Sequence, residues 1–335
     1  MAAIDAAVQG TGNEATYNTL KLHFDEDGDS PLNVETLLSH IRALRSVCGA
    51  GVVRGVTAAQ LDAVEKMICD RIAETVNKPL PSTDSPYHGM AAWISGMPRH
   101  EAVEVFTTNY DLLIEQALEE TRTPFFDGFV GSREPFFDIA AIEDDPLPPR
   151  WARLWKIHGS INWVLGHDDA VIRSESGGGA QLIYPSHLKY EQSRRMPYLA
   201  MLDRLKGFLR RPSAVLVAVG YSFGDDHINE VLVQGLQGNS TAMGFGLLFD
   251  SLGAYGQALN LAKRRVNLTL LARDRGVIAT REDVYAAPDT SRLDGIRRTT
   301  RPDADPLTEI TLGDFAVFAE FLREVIGRPH SVAES

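Results

Sequence analysis

Val103-Glu-Val-Phe-Thr-Thr-Asn-Tyr-Asp111 is the stretch whose reading decides the fold. A β-branched and aromatic run breaks abruptly into small polar residues, as a buried strand does when it delivers side chains, here Asn109 and Asp111, to a cleft. From Leu112 to Glu120 the apolar residues Leu112, Leu113, Ala117 and Leu118 alternate with acids, so a helix begins where the polar residues stop. Asn109 and Asp111 are equally suited to capping that helix. A second stretch, Leu154-Trp-Lys-Ile-His-Gly-Ser160, repeats the arrangement: a short apolar run ends in a polar residue and a glycine.

Toward the N-terminus, Asn33 to Val47 predicts a helix capped by Asn33, with Val34, Leu37, Leu38, Ile41 and Leu44 on one face. Thr57 and Gln60 form a capping box for a second helix carrying Leu61, Val64, Ile68, Ile72 and Val76. The two make a helical hairpin joined by Gly49-Ala50-Gly51. That tripeptide follows a helix, whereas a phosphate loop follows a strand, so it is read as a connector. Tyr87 to Gly96 predicts a helix leading into the Val103 strand. Met1 to Pro31 is polar, with Asp25 to Asp29 turn-like, and shows neither the apolar strand nor the glycine-rich turn with which a dinucleotide-binding domain opens.

Toward the C-terminus, Thr121 to Pro149 lacks a clear period and reads as irregular structure at the cleft rim. Its pairs Phe125-Phe126 and Phe136-Phe137 are read as loop anchors rather than stacking platforms. Ile161 to Tyr184, with turns at Gly166 to Asp169 and Ser176 to Ala180, predicts a small hairpin lobe. Lys189, Arg194 and Arg195 follow, suited either to substrate phosphates or to solvent. Ala214 to Val219 is an uninterrupted apolar run, expected as a central parallel strand covered on both faces. Gly220-Tyr221-Ser222-Phe223-Gly224 turns out of it, and Asp225 or Asp226 caps the next helix. This strand, turn and helix start form an anion cradle with Ser222 as a donor, the aspartates facing helix amides or a ribose hydroxyl. Gly246 to Asp250 and Val266 to Leu271 are further strands ending in polar residues. Asp314 caps a last helix built on Phe315, Phe318, Phe321, Leu322, Val325 and Ile326, and Arg328 to Ser335 is a tail with no expected order.

The 335 residues, 44% hydrophobic and 23% charged, suffice for a full core. With 33 basic against 45 acidic residues the net charge is −12, which argues against non-specific nucleic-acid binding. Arg292, Arg297, Arg298 and Arg301 are interleaved with acids and read as a solvated loop. No stretch has the roughly 18 consecutive apolar residues of a membrane span, and the expected location is the cytosol. Cys48 and Cys69, the only two cysteines, fall in helical patterns as small core residues.

Thr107-Thr108-Asn109-Tyr110-Asp111 resembles the Thr-Gln-Asn-Ile-Asp motif of the SIR2 (sirtuin) family, and His158-Gly159-Ser160 its His-Gly-Ser. Gly220-Tyr221-Ser222-Phe223 resembles the family's later Gly-Thr-Ser loop, and the three occur in the family's order from about Asn33 to Ile326. The spellings are most similar to SIR2-like domains of bacterial antiviral systems, members that hydrolyse NAD. The resemblance implies an α/β fold, a Rossmann-like parallel sheet with a helical-hairpin insertion and a small zinc-free lobe, its first strand and Gly-rich loop missing. A single domain over 1–335 is expected, with the hairpin at 30–80, the Rossmann-like core at 100–120 and 212–326, and the lobe at 125–200. Two cysteines cannot supply the four thiolates of the structural zinc that protein-deacylating sirtuins carry.

Cleaving nicotinamide from ribose develops positive charge on the sugar, so the enzyme must orient the leaving amide and present water. By resemblance, Asp111 holds the nicotinamide carboxamide, Asn109 positions the ribose and a water, and His158 is the base. Thr107, Thr108, Tyr110, Gly220, Tyr221, Ser222, Phe223 and Asp226 are the expected nucleotide contacts, Thr108 standing where deacylases have a glutamine. The implied activity is NAD glycohydrolysis in antiphage defence. Protein deacylation, ADP-ribosyl transfer, and a non-catalytic NAD- or ADP-ribose-binding subunit are the alternatives. A homo-oligomer working with a separate partner, such as a HerA-type ATPase, is expected by analogy, with nucleic acid only indirectly involved.

Overall fold

The structure is a computed structural model that describes residues 2–27, 32–81, 84–97, 99–143, 147–166, 170–174, 197–285 and 309–327. Lys189, Arg194 and Arg195, the Arg292–Arg301 cluster and the tail from Arg328 lie outside the described residues.

The N-terminal third is helical. Helices α1 (Ala2–Val8), α2 (Glu14–Asp27), α3 (Val34–Cys48) and α4 (Ala58–Val76) enclose one core, and a minimal hairpin of β1 (Val52–Val53) and β2 (Val56–Thr57) joins α3 to α4. Asn33 and Thr57 start α3 and α4 through complete capping boxes, each side chain taking the N3 amide while the N3 side chain returns to the cap. Their faces meet through Leu37, Leu38, Ile41, Leu61, Val64 and Ile68, all fully buried. Gly49 ends α3 at φ +52°, a conformation that favours glycine, so Gly49-Ala50-Gly51 is a helix terminator. The polar opening segment differs from its expectation: α1 and α2 add Ile4, Val8, Tyr17 and Leu20 to this core. Those apolar residues are sparse enough to be hidden by the polar ones between them. Cys48 and Cys69 are buried in the same cluster as free thiols.

Helix α5 (Pro86–Gly96) has Ser85 as N-cap, with His88 in the place of the usual Glu or Gln. It leads to β3 (Val103–Thr107), α6 (Leu113–Glu120), β4 (Phe125–Phe126), β5 (Phe129–Val130), β6 (Phe136–Phe137), α7 (Ile139–Glu143), β7 (Ala152–Lys156), β8 (Trp163–Leu165) and β9 (Val171–Arg173). Strands β3, β7 and β4 form a parallel sheet in that order, with Thr107 opposite Lys156. Strands β5, β6, β9 and β8 form a separate antiparallel sheet, the small lobe. The segment read as an irregular rim is thus ordered: Phe125-Phe126 is a strand of the parallel sheet, and the other aromatics build the lobe around Trp163. Two-residue strands are too short to give a period.

The chain continues through α8 (Pro197–Arg210), β10 (Val215–Val219), α9 (Asp226–Gly238), β11 (Met243–Leu247), a 3₁₀ turn at Leu252–Ala254, α10 (Gly256–Ala262), β12 (Leu268–Leu271), β13 (Arg275–Ile278), β14 (Arg281–Val284) and α11 (Phe315–Gly327). Strands β10, β11 and β12 are parallel, and β13 and β14 extend that sheet antiparallel. Asp314 caps α11, its carboxylate accepting from the Ala316 amide at 2.9 Å.

Two expectations about strand position are corrected. β10 is an edge strand rather than a central one, with Val215 54% and Val217 43% exposed, because among the described residues only β11 pairs with it. Among the described residues β3 likewise pairs only with β7 and is half-buried, whereas every residue of β7 is buried. The two parallel sheets are tied beside each other by side chains. Phe106 of β3 packs on the cluster beneath β10, and the fully buried Glu104 carboxylate pairs with Arg211, which precedes β10, at 2.7 Å.

Candidate functional site

The C-terminal ends of β3 and β7 are in register, so the residues just beyond them become neighbours. Asn109 and His158 each stand two residues past the paired Thr107 and Lys156. The two loops are fastened together: the Ile157 amide donates to the Thr107 carbonyl at 2.8 Å, and the Ile161 amide to the Tyr110 carbonyl at 3.1 Å. The Thr107 hydroxyl accepts from the Asn109 amide at 3.1 Å, which shapes the turn and leaves Asn109 exposed. Tyr110 lies beside His158, ring centroids 6.4 Å apart. Gly159 follows at φ +100°, allowing the chain to turn directly after the imidazole. Thr108 is half-buried between Thr107 and Asn109.

His158 is 5% exposed, and its Nε2 is 3.0 Å from the Asp225 carboxylate. Asp225 belongs to the turn after β10, so this contact joins the two parallel sheets at their C-terminal edges. The other carboxylate oxygen accepts from the His227 and Ile228 amides at 2.9 and 3.0 Å, which makes Asp225 the N-cap of α9. Burial works against the charged form of Asp225. The His158 contact and the two amides outweigh it and hold the carboxyl below its ordinary range.

In this turn the cap is decided between its two candidates, and two side chains are placed away from the turn surface. Asp226 is exposed and accepts a 3.3 Å bond from Gln257, while Asp225 takes the helix amides and is the cap. Phe223, at φ +59°, is 1% exposed with its ring against Gly246, where a Cβ would come within 3.0 Å of it. Its side chain is therefore core, because the missing side chain of β11 leaves room for it. Tyr221 turns away from the turn surface as well, its hydroxyl donating to the Asn229 side chain at 2.9 Å. Gly220, at φ +69°, Ser222 and Gly224 remain exposed. Asp225 takes the His227 and Ile228 amides of α9, so these two donors are already engaged within the protein.

Asp111 presents one carboxylate oxygen to the Leu113 amide at 3.0 Å, a turn bond just ahead of α6, whose N-cap position is held by Leu112 without a side-chain hydrogen bond, so neither Asn109 nor Asp111 is the cap. The buried hydroxyl of Ser160 has no hydrogen-bond partner among the described residues. Lys156 and Glu115, which no sequence pattern singled out, form a buried ion pair under the Asn109 loop at 2.8 Å. Among the described residues no three histidine, cysteine or acidic side chains cluster as a metal site, and no helix is long and apolar enough to cross a membrane.

Parallel strands whose C-terminal loops gather an amide, an imidazole and a carboxylate at one edge define a ligand-binding α/β protein. Residues 103–261, from β3 through α10, match the family described as SIR2-like domain, and this part of the chain is a SIR2-like domain. Such domains use NAD. All three loops of the site fall within the match. No curated protein matches the chain.

Proposed function

We propose that this protein is an NAD glycohydrolase releasing nicotinamide and ADP-ribose. The observation that carries the reading is the His158–Asp225 contact, which places an oriented imidazole beside the Asn109 loop. A neutral imidazole that donates from Nε2 to a carboxylate has Nδ1 as its basic nitrogen, and an Asp at that position fixes the tautomer. His158 takes a proton from a ribose hydroxyl or from water. Asp225 favours the imidazolium that results. Asn109, exposed at the rim, orients the ribose and the attacking water, and Asp111 meets the carboxamide with the oxygen not engaged by Leu113. The exposed Gly220–Ser222–Gly224 stretch supplies donors to the pyrophosphate. Two cysteines, both in the helical core, leave a four-thiolate zinc site without ligands, which favours hydrolysis over protein deacylation.

The same reading extends to context. The chain acts as the NAD-depleting effector of a prokaryotic antiphage system, as a cytoplasmic homo-oligomer silenced until a partner of the HerA-type ATPase class triggers it. Incubating the purified protein with NAD and following nicotinamide release tests the chemistry; release that is abolished in Asn109→Ala supports it. Absence of release from wild type, with and without an acyl-lysine peptide, would leave NAD binding without turnover.

A further inference from the structure

Lys156 is the last residue of β7, 2% exposed, and its ammonium reaches beneath the Asn109 loop. There it donates to the Asp111 carbonyl and, at 2.8 Å, to Glu115 in the first turn of α6. An isolated ammonium in this position would be costly to bury, and so would an isolated carboxylate. Burial pushes the Glu115 carboxyl upward, and Lys156 opposes that shift. An apolar pair of the same size would fill the space without either penalty. The pair does something apolar residues cannot: it ties the main chain of the loop carrying Asn109, and the start of α6, to the strand that carries His158 two residues later.

We propose that Lys156 is a positioning residue, holding the Asn109–Asp111 loop in register with His158 through the Asp111 carbonyl, with Glu115 as its balancing charge. The inference rests on the assignment of Asn109 and His158 to one site. Lys156 sits below the loop and touches no substrate. Its effect is on geometry, and small displacements of a positioning loop lower turnover more than binding.

The test compares wild type, Lys156→Met and the double variant Lys156→Met/Glu115→Met by melting temperature, NAD kinetics and amide hydrogen exchange at Leu113 and Ile161. Lys156→Met alone leaves a buried carboxylate unpaired and melts lower. The double variant removes both charges and recovers most of that loss. Positioning predicts that the recovered double variant still shows kcat at least tenfold below wild type, KM changed less than threefold, and faster exchange at both amides. A double variant with wild-type kcat and wild-type exchange would make the pair purely structural and overturn the proposal. If wild type itself releases no nicotinamide, the glycohydrolase reading fails, and exchange decides the positioning role: faster exchange in the stable double variant upholds it, and unchanged exchange refutes it.

Discussion

The His158 imidazole and the Asp225 carboxylate, 67 positions apart in the chain, meet at 3.0 Å and join the loop after β7 to the loop after β10. One carboxylate thus serves two ends, orienting the imidazole with one oxygen and starting α9 with the other. The two tasks separate by mutation. Asp225→Asn keeps an oxygen for the amides but loses the charge, so it should lose less stability than Asp225→Ala while nicotinamide release falls by a factor on the order of 100 or more, as expected when a base loses its orienting charge. Asp225→Ala should lose the same activity and in addition about 1 kcal/mol of stability, the usual worth of an N-cap. Equal activity of Asp225→Asn and wild type would remove the dyad from the mechanism.

Acid denaturation reports on the same group. The Asp225 carboxyl is held below its ordinary range in the folded state, so its contribution is present above the unfolded value, about 3.9, and is lost as the pH falls through the folded value. Asp225→Asn should therefore show a shallower loss of stability below about pH 4 than wild type, measured by urea unfolding at stepped pH.

Asn109→Ala and His158→Ala should both abolish NAD cleavage, with different structural costs. Asn109 is exposed, and its side chain can be cut without affecting packing. His158 is buried against Asp225 and Tyr110, so its removal should lower stability by about 1–3 kcal/mol. Retained turnover in both variants would rule out this site.

Asp226→Ala should leave stability within about 0.5 kcal/mol of wild type, since Asp226 is exposed and caps nothing. A rise in KM for NAD at unchanged melting temperature would show that it touches the nucleotide, and an unchanged KM that it faces solvent.

Gly246→Ala is expected to destabilise by about 1–3 kcal/mol through overpacking. The added Cβ would stand 2.7 Å from Leu270 and 3.0 Å from the Phe223 ring. Leu270 ends in a flexible side chain, whereas Phe223 is locked in the turn that carries Ser222 and Asp225. Activity should fall with stability, and a chemical-shift change at the His158 ring would trace the displacement to that turn.

The exposed edge of β10 makes a prediction about association. Val215 and Val217 belong to a strand that, among the described residues, pairs on one side alone, and their exposed side chains make it an apolar template for further pairing. Val217→Lys should reduce self-association measured by light scattering while leaving the fold intact.

What the sequence by itself determined is local. The abrupt change from apolar to polar at Thr107, Ile157 and Val219 marked three strand ends, because a strand's composition and its termination are written in consecutive residues. The caps at Asn33, Thr57 and Asp314 were readable for the same reason, the capping residue and its amide lying within one turn. Tertiary structure decided the rest. An apolar run such as Val215 to Val219 reads the same at a sheet's edge and at its centre, since only the neighbouring strand distinguishes them. Asp225 and Asp226 are interchangeable as cap candidates until the approach of His158 and the burial of Phe223 fix the turn. The Lys156–Glu115 pair spans 41 positions, and a lysine at the end of a strand carries no mark of burial. Each of these depends on which loops the sheets bring together, and that proximity has no counterpart in sequence spacing.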